Sequence, residues 1–383
     1  MRQIMICAGE ASGDLHAGAL TAELLKLDND VHVFGMGGDN LRAAGGEVLF
    51  DIKDHSVMGF VEVVRKLPSL FKLRDELSKL MDERRPDCLV VIDYPDFNMR
   101  IAKIAKKKGI PVVCFIAPSA WAWRKGRAKK VAKIVDKIAS IFPFEYDVYK
   151  EAGADVEFVG HPLVDIVKPT MTKAEAEQFF DKKPDRKIVL LMPGSRLQEI
   201  NRLLPPMLEA AQIIHTQRPD VDFYLPRAST ISEELLQSYL AKIDVLVHVI
   251  DKGNYDIMSI SDVAIATSGT VTLEAAMLDL PNVIIYKGAP VAVFIARRLV
   301  KLSHIGLPNI VADRGILPEL IQEDVTAENI AKEVFALLDE QNREKVMADL
   351  AYMKDRLGEA GTLRRVAELV LSVAKEGSLG EGR

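Results

Sequence analysis

Short, nearly uniform apolar runs alternate along this chain with longer stretches of helical periodicity, and that alternation restricts the fold more than any other feature. In the first half the apolar runs occupy residues 4–8, 31–35, 88–93, 112–116, 138–142 and 156–159. Amphipathic stretches lie between them, at 15–27, 70–83 and 124–136. A strand that is apolar on both sides needs cover on both sides, so the pattern predicts parallel sheets flanked by helices. The alternation loosens over 162–186, where Pro162, Pro169 and Pro184 fall among many charges, with a helix predicted over 173–180. It then restarts, with strands predicted at 188–192, 222–225, 245–249, 263–266 and 282–286, a helix at 199–217, and helices from 326 onward. The 383 residues suffice for two cores. The reading is an α/β protein of two doubly wound, Rossmann-like units in series, 1–165 and 166–360, with 361–383 as a closing helix and loose tail. A cleft between such units is the expected place for a ligand.

Composition narrows the function. A net charge of −5 argues against a dedicated nucleic-acid binder. Cys7, Cys88 and Cys114 each sit inside an apolar run and form no C-x-x-C pair, as expected of reduced, buried thiols. The opening M-R-Q-I-M-I-C-A-G is too short an apolar run for a signal peptide, and A-P-V-A-V-F-I-A (289–296) falls well short of the roughly 20 residues a spanning helix needs. The seven histidines lack ligand spacing, so no metal site is expected, and His161 reads as a turn residue.

Three strand-to-helix loops carry the candidate chemistry. G-E-A-S-G-D (9–14) admits two readings: a tight turn capped by Ser12 or Asp14, or a ligand loop at the carboxyl end of a strand. Its spacing is not G-x-G-x-x-G, so a dinucleotide fingerprint is not supported. P-G-S-R (193–196) places Gly194, Ser195 and Arg196 before a helix, where free N–H groups, the helix dipole and a guanidinium suit an anion. A-T-S-G-T-V-T-L-E (266–274) repeats the device with Ser268, Gly269 and Thr270, and Glu274 follows where a carboxylate can accept ribose hydroxyls. The last two, both in the second unit, suggest a nucleoside diphosphate; no Walker lysine motif is present.

V-V-I-D-Y-P-D-F-N (90–98) ends a predicted strand on two acids. Asp96 is placed to take a proton from an attacking hydroxyl, or else Asp96 or Asn98 caps a helix over 97–107; Asp93 reads as structural. The basic run 124–137 beside Trp121 and Trp123 reads as a solvated helix face or as contact with an anionic surface. In 57–81, Leu73, Leu77 and Leu80 read as core, and Leu67, Leu70 and Phe71 as an interfacial patch.

The motifs A-G-E-A-S-G-D (8–14), V-M-G-F-V-E-V (57–63), I-D-Y-P-D-F-N (92–98), S-A-W-A-W-R (119–124), F-V-G-H-P (158–162), P-G-S-R-L-Q-E-I (193–200), S-G-T-V-T-L-E (268–274) and L-P-N-I (307–310) occur in order along nearly the whole chain. This set resembles the lipid A disaccharide synthase family. The resemblance implies a GT-B glycosyltransferase fold whose last helix, near 361–375, crosses back to the first domain. It implies UDP-2,3-diacylglucosamine as donor and 2,3-diacylglucosamine 1-phosphate (lipid X) as acceptor. The products would be the β-1,6-linked tetraacyl disaccharide 1-phosphate and UDP, formed with inversion. It makes Asp96 catalytic and assigns the donor to Gly194, Ser195, Arg196, Ser268, Gly269, Thr270, Glu274 and Asn309. Glu10, Ser12, Gly13, Ser119, Trp121, Trp123 and Arg124 fall on the acceptor side, with Leu67, Leu70 and Phe71 toward the membrane. No cofactor is implied. The implied setting is peripheral, on an anionic membrane surface at the cytoplasmic face of the inner membrane, and the architecture is compatible with a homodimer. Ala11, where relatives can carry threonine, departs from the pattern. A UDP-sugar epimerase and a noncatalytic nucleotide-sugar sensor are the competing readings.

Overall fold

A computed structural model describes residues 1–55, 60–118, 125–228, 230–288 and 303–380. The chain divides into two compact units, Met1–Ile166 with Leu357–Arg383, and Val167–Arg356.

The first unit is built on β1 (Arg2–Ala8), β2 (Val31–Gly37), β3 (Glu47–Asp51), β4 (Cys88–Ile92), β5 (Val112–Phe115), β6 (Lys137–Ser140) and β7 (Val156–Phe158). They form one sheet in the order β3-β2-β1-β4-β5-β6-β7, every neighbouring pair parallel. The helices are α1 (Ala11–Leu27), α2 (Asp39–Ala43), α3 (Ile52–His55), α4 (Phe60–Arg84), α5 (Pro95–Lys107), α6 (Lys125–Ala132), α7 (Pro143–Glu151) and α8 (Leu163–Ile166). Successive strand residues point to opposite faces. Met5, Cys7, Leu89 and Val91 therefore meet Leu73 and Leu77 of α4, Ile101 of α5 and Val131 of α6 in one buried cluster. Ile4, Ile6 and Val90 are equally buried on the other face. All three cysteines are buried and free, and burial pushes the Cys7 and Cys114 thiols up to about 12.

The second unit repeats the plan with β8 (Lys187–Met192), β9 (Val221–Pro226), β10 (Val247–Ile250), β11 (Val263–Thr267), β12 (Asn282–Tyr286) and β13 (Glu319–Ile321), again all parallel, in the order β10-β9-β8-β11-β12-β13. Its helices are α9 (Lys173–Phe179), α10 (Leu197–Gln217), α11 (Glu233–Leu240), α12 (Asn254–Ile260), α13 (Thr270–Met277), α14 (Leu307–Ala312), α15 (Ala327–Leu338) and α16 (Glu340–Asp355). Val189, Leu191 and Ile265 pack beneath α10 and α15, while Ile188, Leu190 and Ala264 pack with α9 and α12 on the opposite face.

The final helix, α17 (Thr362–Gly380), lies on α1, β4 and β5 of the first unit and buries Val366, Ala367, Val370 and Ala374 completely. Its first turn is held by Asp165, whose carboxylate accepts from Gly361 N at 2.7 Å and Leu363 N at 2.9 Å. The Arg365 guanidinium donates to the Val159 carbonyl at 2.9 Å, which ties the helix to the end of β7.

The clearest departures from the sequence reading are two strands and the start of one long helix. β3 is a half-exposed edge strand and β13 has three residues, so neither shows an apolar run. Helix α4 begins ten residues before the predicted 70, because Pro68 lies inside it at an exposed position instead of ending it. Among the described residues, no helix is long and apolar enough to cross a membrane.

Candidate active site

In an open parallel sheet the strand order reverses at one point, and the loops there diverge to leave a crevice at the carboxyl ends of the strands. In the first unit that point lies between β1 and β4, in the second between β8 and β11. The candidate loops are those that follow these four strands.

After β4 the backbone makes a tight left-handed passage, with φ of 51° at Asp93 and 48° at Tyr94, before Pro95 opens α5. Left-handed geometry is costly for residues other than glycine and persists only where the surroundings enforce it. The Asn98 amide is one such restraint: buried under the turn, its Nδ2 donates to the carbonyls of Cys7 (3.0 Å), Ile92 (3.1 Å) and Asp93 (2.7 Å), joining the ends of β1 and β4. The Tyr94 ring is another. A Cβ at Gly9 would stand 2.2 Å from its Cδ1, so only glycine lets the ring lie over the end of β1.

This geometry corrects the capping alternative. The N-cap of α5 is Tyr94, without a side-chain cap, and Asn98 is a buried tie. Asp96 projects outward with its side chain 92% exposed, and its Oδ1 accepts from Arg127 Nη2 at 2.9 Å. Asp93 is half-buried, 3.5 Å from the Ser12 hydroxyl, and burial pushes its carboxyl above the ordinary range against the pull of the Tyr94 N–H and Ser12. Glu10 is exposed at the N-cap of α1, where no side chain caps the helix. Asp14 does not cap α1 either; it lies inside that helix and accepts from the N–H groups of Gly38 (2.5 Å), Asn40 (2.9 Å) and Leu41 (3.2 Å). Gly13 is buried, its Cβ position 3.4 Å from the Ile92 carbonyl, so it lets α1 pack close to the end of β4. Ser119, Trp121, Trp123 and Arg124 lie outside the described residues.

In the second unit Gly194 has φ of 108°, and a Cβ there would meet Glu199 Oε2 at 2.3 Å. The reason is an internal anion. Glu199 Oε2 accepts from Ser195 N (3.1 Å) and Arg196 N (3.2 Å), and Oε1 from Arg196 Nη1 (3.0 Å). The donors that the sequence leaves open for a phosphate are thus occupied by a carboxylate of the same helix. The sequence reading missed Glu199, although its position one turn into the helix is where a side chain reaches back to the first N–H groups.

After β11, Gly269 opens onto free space, with nothing within 4 Å of its Cβ position. The Ser268 hydroxyl donates to the Ile305 carbonyl at 3.1 Å, and Thr270 begins α13. Glu274 is half-buried and accepts from the Tyr255 hydroxyl at 3.3 Å; burial pushes its carboxyl above the ordinary range. It is not the exposed first-turn glutamate that helix propensity alone would give.

Asn309 differs from expectation. It is fully buried, and its amide group is used inside the protein. Nδ2 donates to Leu317 O (2.9 Å) and Glu319 Oε1 (2.7 Å), and Oδ1 accepts from Ile316 N (2.8 Å) and Leu317 N (2.9 Å). Glu319 also accepts from Ile305 N and Gly306 N, both at 3.0 Å. Asn309 therefore fixes the loop carrying Ile305, on which Ser268 rests, in place of the direct donor contact. Among the described residues there is no cluster of histidine, cysteine, aspartate and glutamate fit for a metal ion.

Comparison with solved structures defines the class first. A UDP-GlcNAc 2-epimerase from Neisseria meningitidis, bound to UDP-GlcNAc, superposes with a TM-score of 0.70 over 97% of this chain and 100% of that one, at 15% identity. MurG from Acinetobacter baumannii does so with a TM-score of 0.60 over 97% and 100%, at 14% identity. The fold is the GT-B arrangement of glycosyltransferases and related epimerases. Sequence decides among them: the chain belongs to the lipid-A-disaccharide synthetase family, whose profile matches residues 4–370. The lipid-A-disaccharide synthase of Geobacter metallireducens is 44% identical over 373 residues, 97% of each chain. That of Syntrophus aciditrophicus is 42% identical over 375 residues, 97% of this chain and 98% of its own. The chain is a glycosyltransferase of lipid A biosynthesis.

Proposed function

We propose that this enzyme joins two acylated glucosamines by direct displacement, with Asp96 as general base and the loops after β8 and β11 as the UDP site. The acceptor is lipid X and the donor UDP-2,3-diacylglucosamine. Asp96 takes the proton of the acceptor 6-hydroxyl as that oxygen attacks the anomeric carbon. The bond from that carbon to the UDP oxygen breaks on the opposite face, and inversion gives the β-1,6 linkage. The negative charge gathers on UDP, where the N–H groups of Ser195 and Arg196, the Arg196 guanidinium and the start of α13 stabilise it. The diphosphate takes the place of Glu199 on these donors, and Glu274 accepts the ribose hydroxyls.

The observation that carries the reading is the state of Asp96: a carboxylate at the switch point of its sheet, 92% exposed, engaged by Arg127 and not by its own helix. A structural aspartate at a helix start would be turned back onto the N–H groups. The test supplies UDP-diacylglucosamine with and without lipid X and follows UDP release and disaccharide formation. Asp96→Ala should lower turnover by about 10²- to 10⁴-fold while UDP affinity stays within about twofold. Retained turnover removes the base role, and acceptor-independent UDP release points to another UDP-sugar reaction.

The membrane partner of this reading is an anionic lipid surface. Phe71 of α4 is 43% exposed with Arg74 over its ring, and Leu70 beside it is half-buried. On α5, Arg100, Lys103 and Lys107 lie at helical spacing and are exposed, as are Lys129 and Lys130 on α6. None of these five has an ion-pair partner among the described residues. Aromatic insertion beside cationic helix faces is how a peripheral protein holds such a surface.

A further inference from the structure

We propose that Tyr255 is a positioning residue of the donor site: its hydroxyl fixes one oxygen of the Glu274 carboxylate and leaves the other to take the ribose hydroxyls. The inference rests on the reading of Glu274 given above and adds the group that makes that reading work.

A carboxylate that must accept two hydroxyls has to be ionised and fixed in rotation. Glu274 threatens the first condition, because half-burial disfavours its charged form. The single hydrogen bond to it among the described residues that counters this comes from the Tyr255 hydroxyl, 3.3 Å from Oε1. The phenol is a dependable donor, since burial and the facing Glu274 push its ionisation far above the ordinary range. A carboxylate offers about four lone-pair positions, so one donor on Oε1 leaves room for a ribose diol.

Tyr255 is itself held. It sits in the first turn of α12, packed against the cluster of Ile188, Leu190, Ile257 and Ala264. Its neighbour Asp256 accepts from Thr170 N (2.6 Å), Met171 N (2.7 Å) and Thr170 Oγ1 (2.9 Å), so the start of this helix is anchored to the segment that enters the second unit. Other charges are engaged elsewhere. Helix α13 carries no other charged residue, and neither β11 nor α14 carries one. Tyr286 ends β12 and is exposed. On α16, Lys354 pairs with Asp279, and Arg356 just past the helix donates to the Val311 carbonyl.

The experiment measures UDP binding by calorimetry from pH 5 to 8, with steady-state kinetics, for the wild type, Tyr255→Phe, Glu274→Gln and the double variant. Tyr255→Phe keeps the ring and its packing, and a melting curve verifies the fold. It should weaken UDP about tenfold and raise the donor KM with little change in kcat. UDP affinity falls as Glu274 takes a proton, so without the phenol that fall should begin at higher pH. In the Glu274→Gln background the second substitution should change UDP affinity less than about twofold. If Tyr255→Phe binds UDP as tightly as wild type with an unmoved pH profile while Glu274→Gln is weakened, the proposal falls and the ribose reading stands. If Glu274→Gln itself binds UDP normally, the ribose reading falls and carries the proposal with it. An undiminished effect of Tyr255→Phe in the Glu274→Gln background would make the tyrosine merely structural and also overturn it.

Discussion

Asp96 opens its helix and Glu274 lies one turn into its own, and the structure gives the two acids opposite surroundings. Asp96 stands in solvent; Glu274 is pressed into its unit with a phenol for company. Sequence patterns at this scale locate loops well and side-chain partners poorly. Asp14 and Asn98 were eligible as caps and Asn309 as a donor contact, yet Asp14 binds the loop after β2, Asn98 ties two strand ends, and Asn309 fastens the loop before α14 through Glu319. Such partners are distant in sequence, so no local pattern announces them. The burial of Glu274 has a consequence for stability. A carboxyl whose folded pKa is raised favours its protonated form in the fold. Its contribution is present below the unfolded value and is lost as pH rises through the folded one. At neutral pH Glu274 is therefore a cost, and Glu274→Gln should melt higher than the wild type. The gain should vanish near pH 4, where the acid is itself neutral. Equal melting temperatures at neutral pH would show that the burial is harmless.

The elements were more legible than their contacts. Fully buried strands such as β4 and β11 are unbroken apolar runs, and their position was plain. Helix starts were harder: α1 and α4 both begin before the amphipathic pattern does, α4 because Pro68 lies inside the helix instead of ending it. The cationic face is a case where the element adds what the run did not show. The basic stretch 124–137 drew attention to α6, but the stripe of Arg100, Lys103 and Lys107 on α5 is spaced out in sequence and becomes a surface only on the helix. If this face meets anionic lipid, charge should carry much of the binding. Each cation near such a surface contributes about 1 kcal/mol. Changing all three to alanine should weaken binding to phosphatidylglycerol vesicles by about a hundredfold at low salt. At about 1 M salt, where the screening length is about 3 Å, the difference should disappear. Leu70→Ser with Phe71→Ser should lower binding at every salt concentration. Flotation that is unchanged for both sets would remove this face from consideration.

At the scale of the whole molecule, the first unit is closed by a segment that the chain supplies last. Residues 167–356 form the second unit, and only afterwards does α17 cover α1, β4 and β5. Until that helix is present, Val90 of β4 lacks part of the cover a parallel sheet requires. The two units also have separate cores, one beneath α4 to α6 and the others on either side of the β8 sheet. These facts together predict that damage to α17 is felt by the first unit alone. Val370 is fully buried in that interface, and Val370→Asp places there a carboxylate without a partner. Such a change costs several kcal/mol. In a unit of this size each kcal/mol corresponds to about 2 to 4 °C, so one calorimetric transition should fall by about 10 °C or more while the other holds. UDP stabilises whichever unit binds it, by RT ln(1 + c/Kd) at free UDP concentration c. Added UDP should therefore raise the transition that Val370→Asp leaves in place, because the loops after β8 and β11 proposed to hold UDP belong to the second unit. A single transition that drops as a whole would mean that the units unfold together. A UDP shift in the lowered transition would mean that the nucleotide is held by the unit that α17 closes.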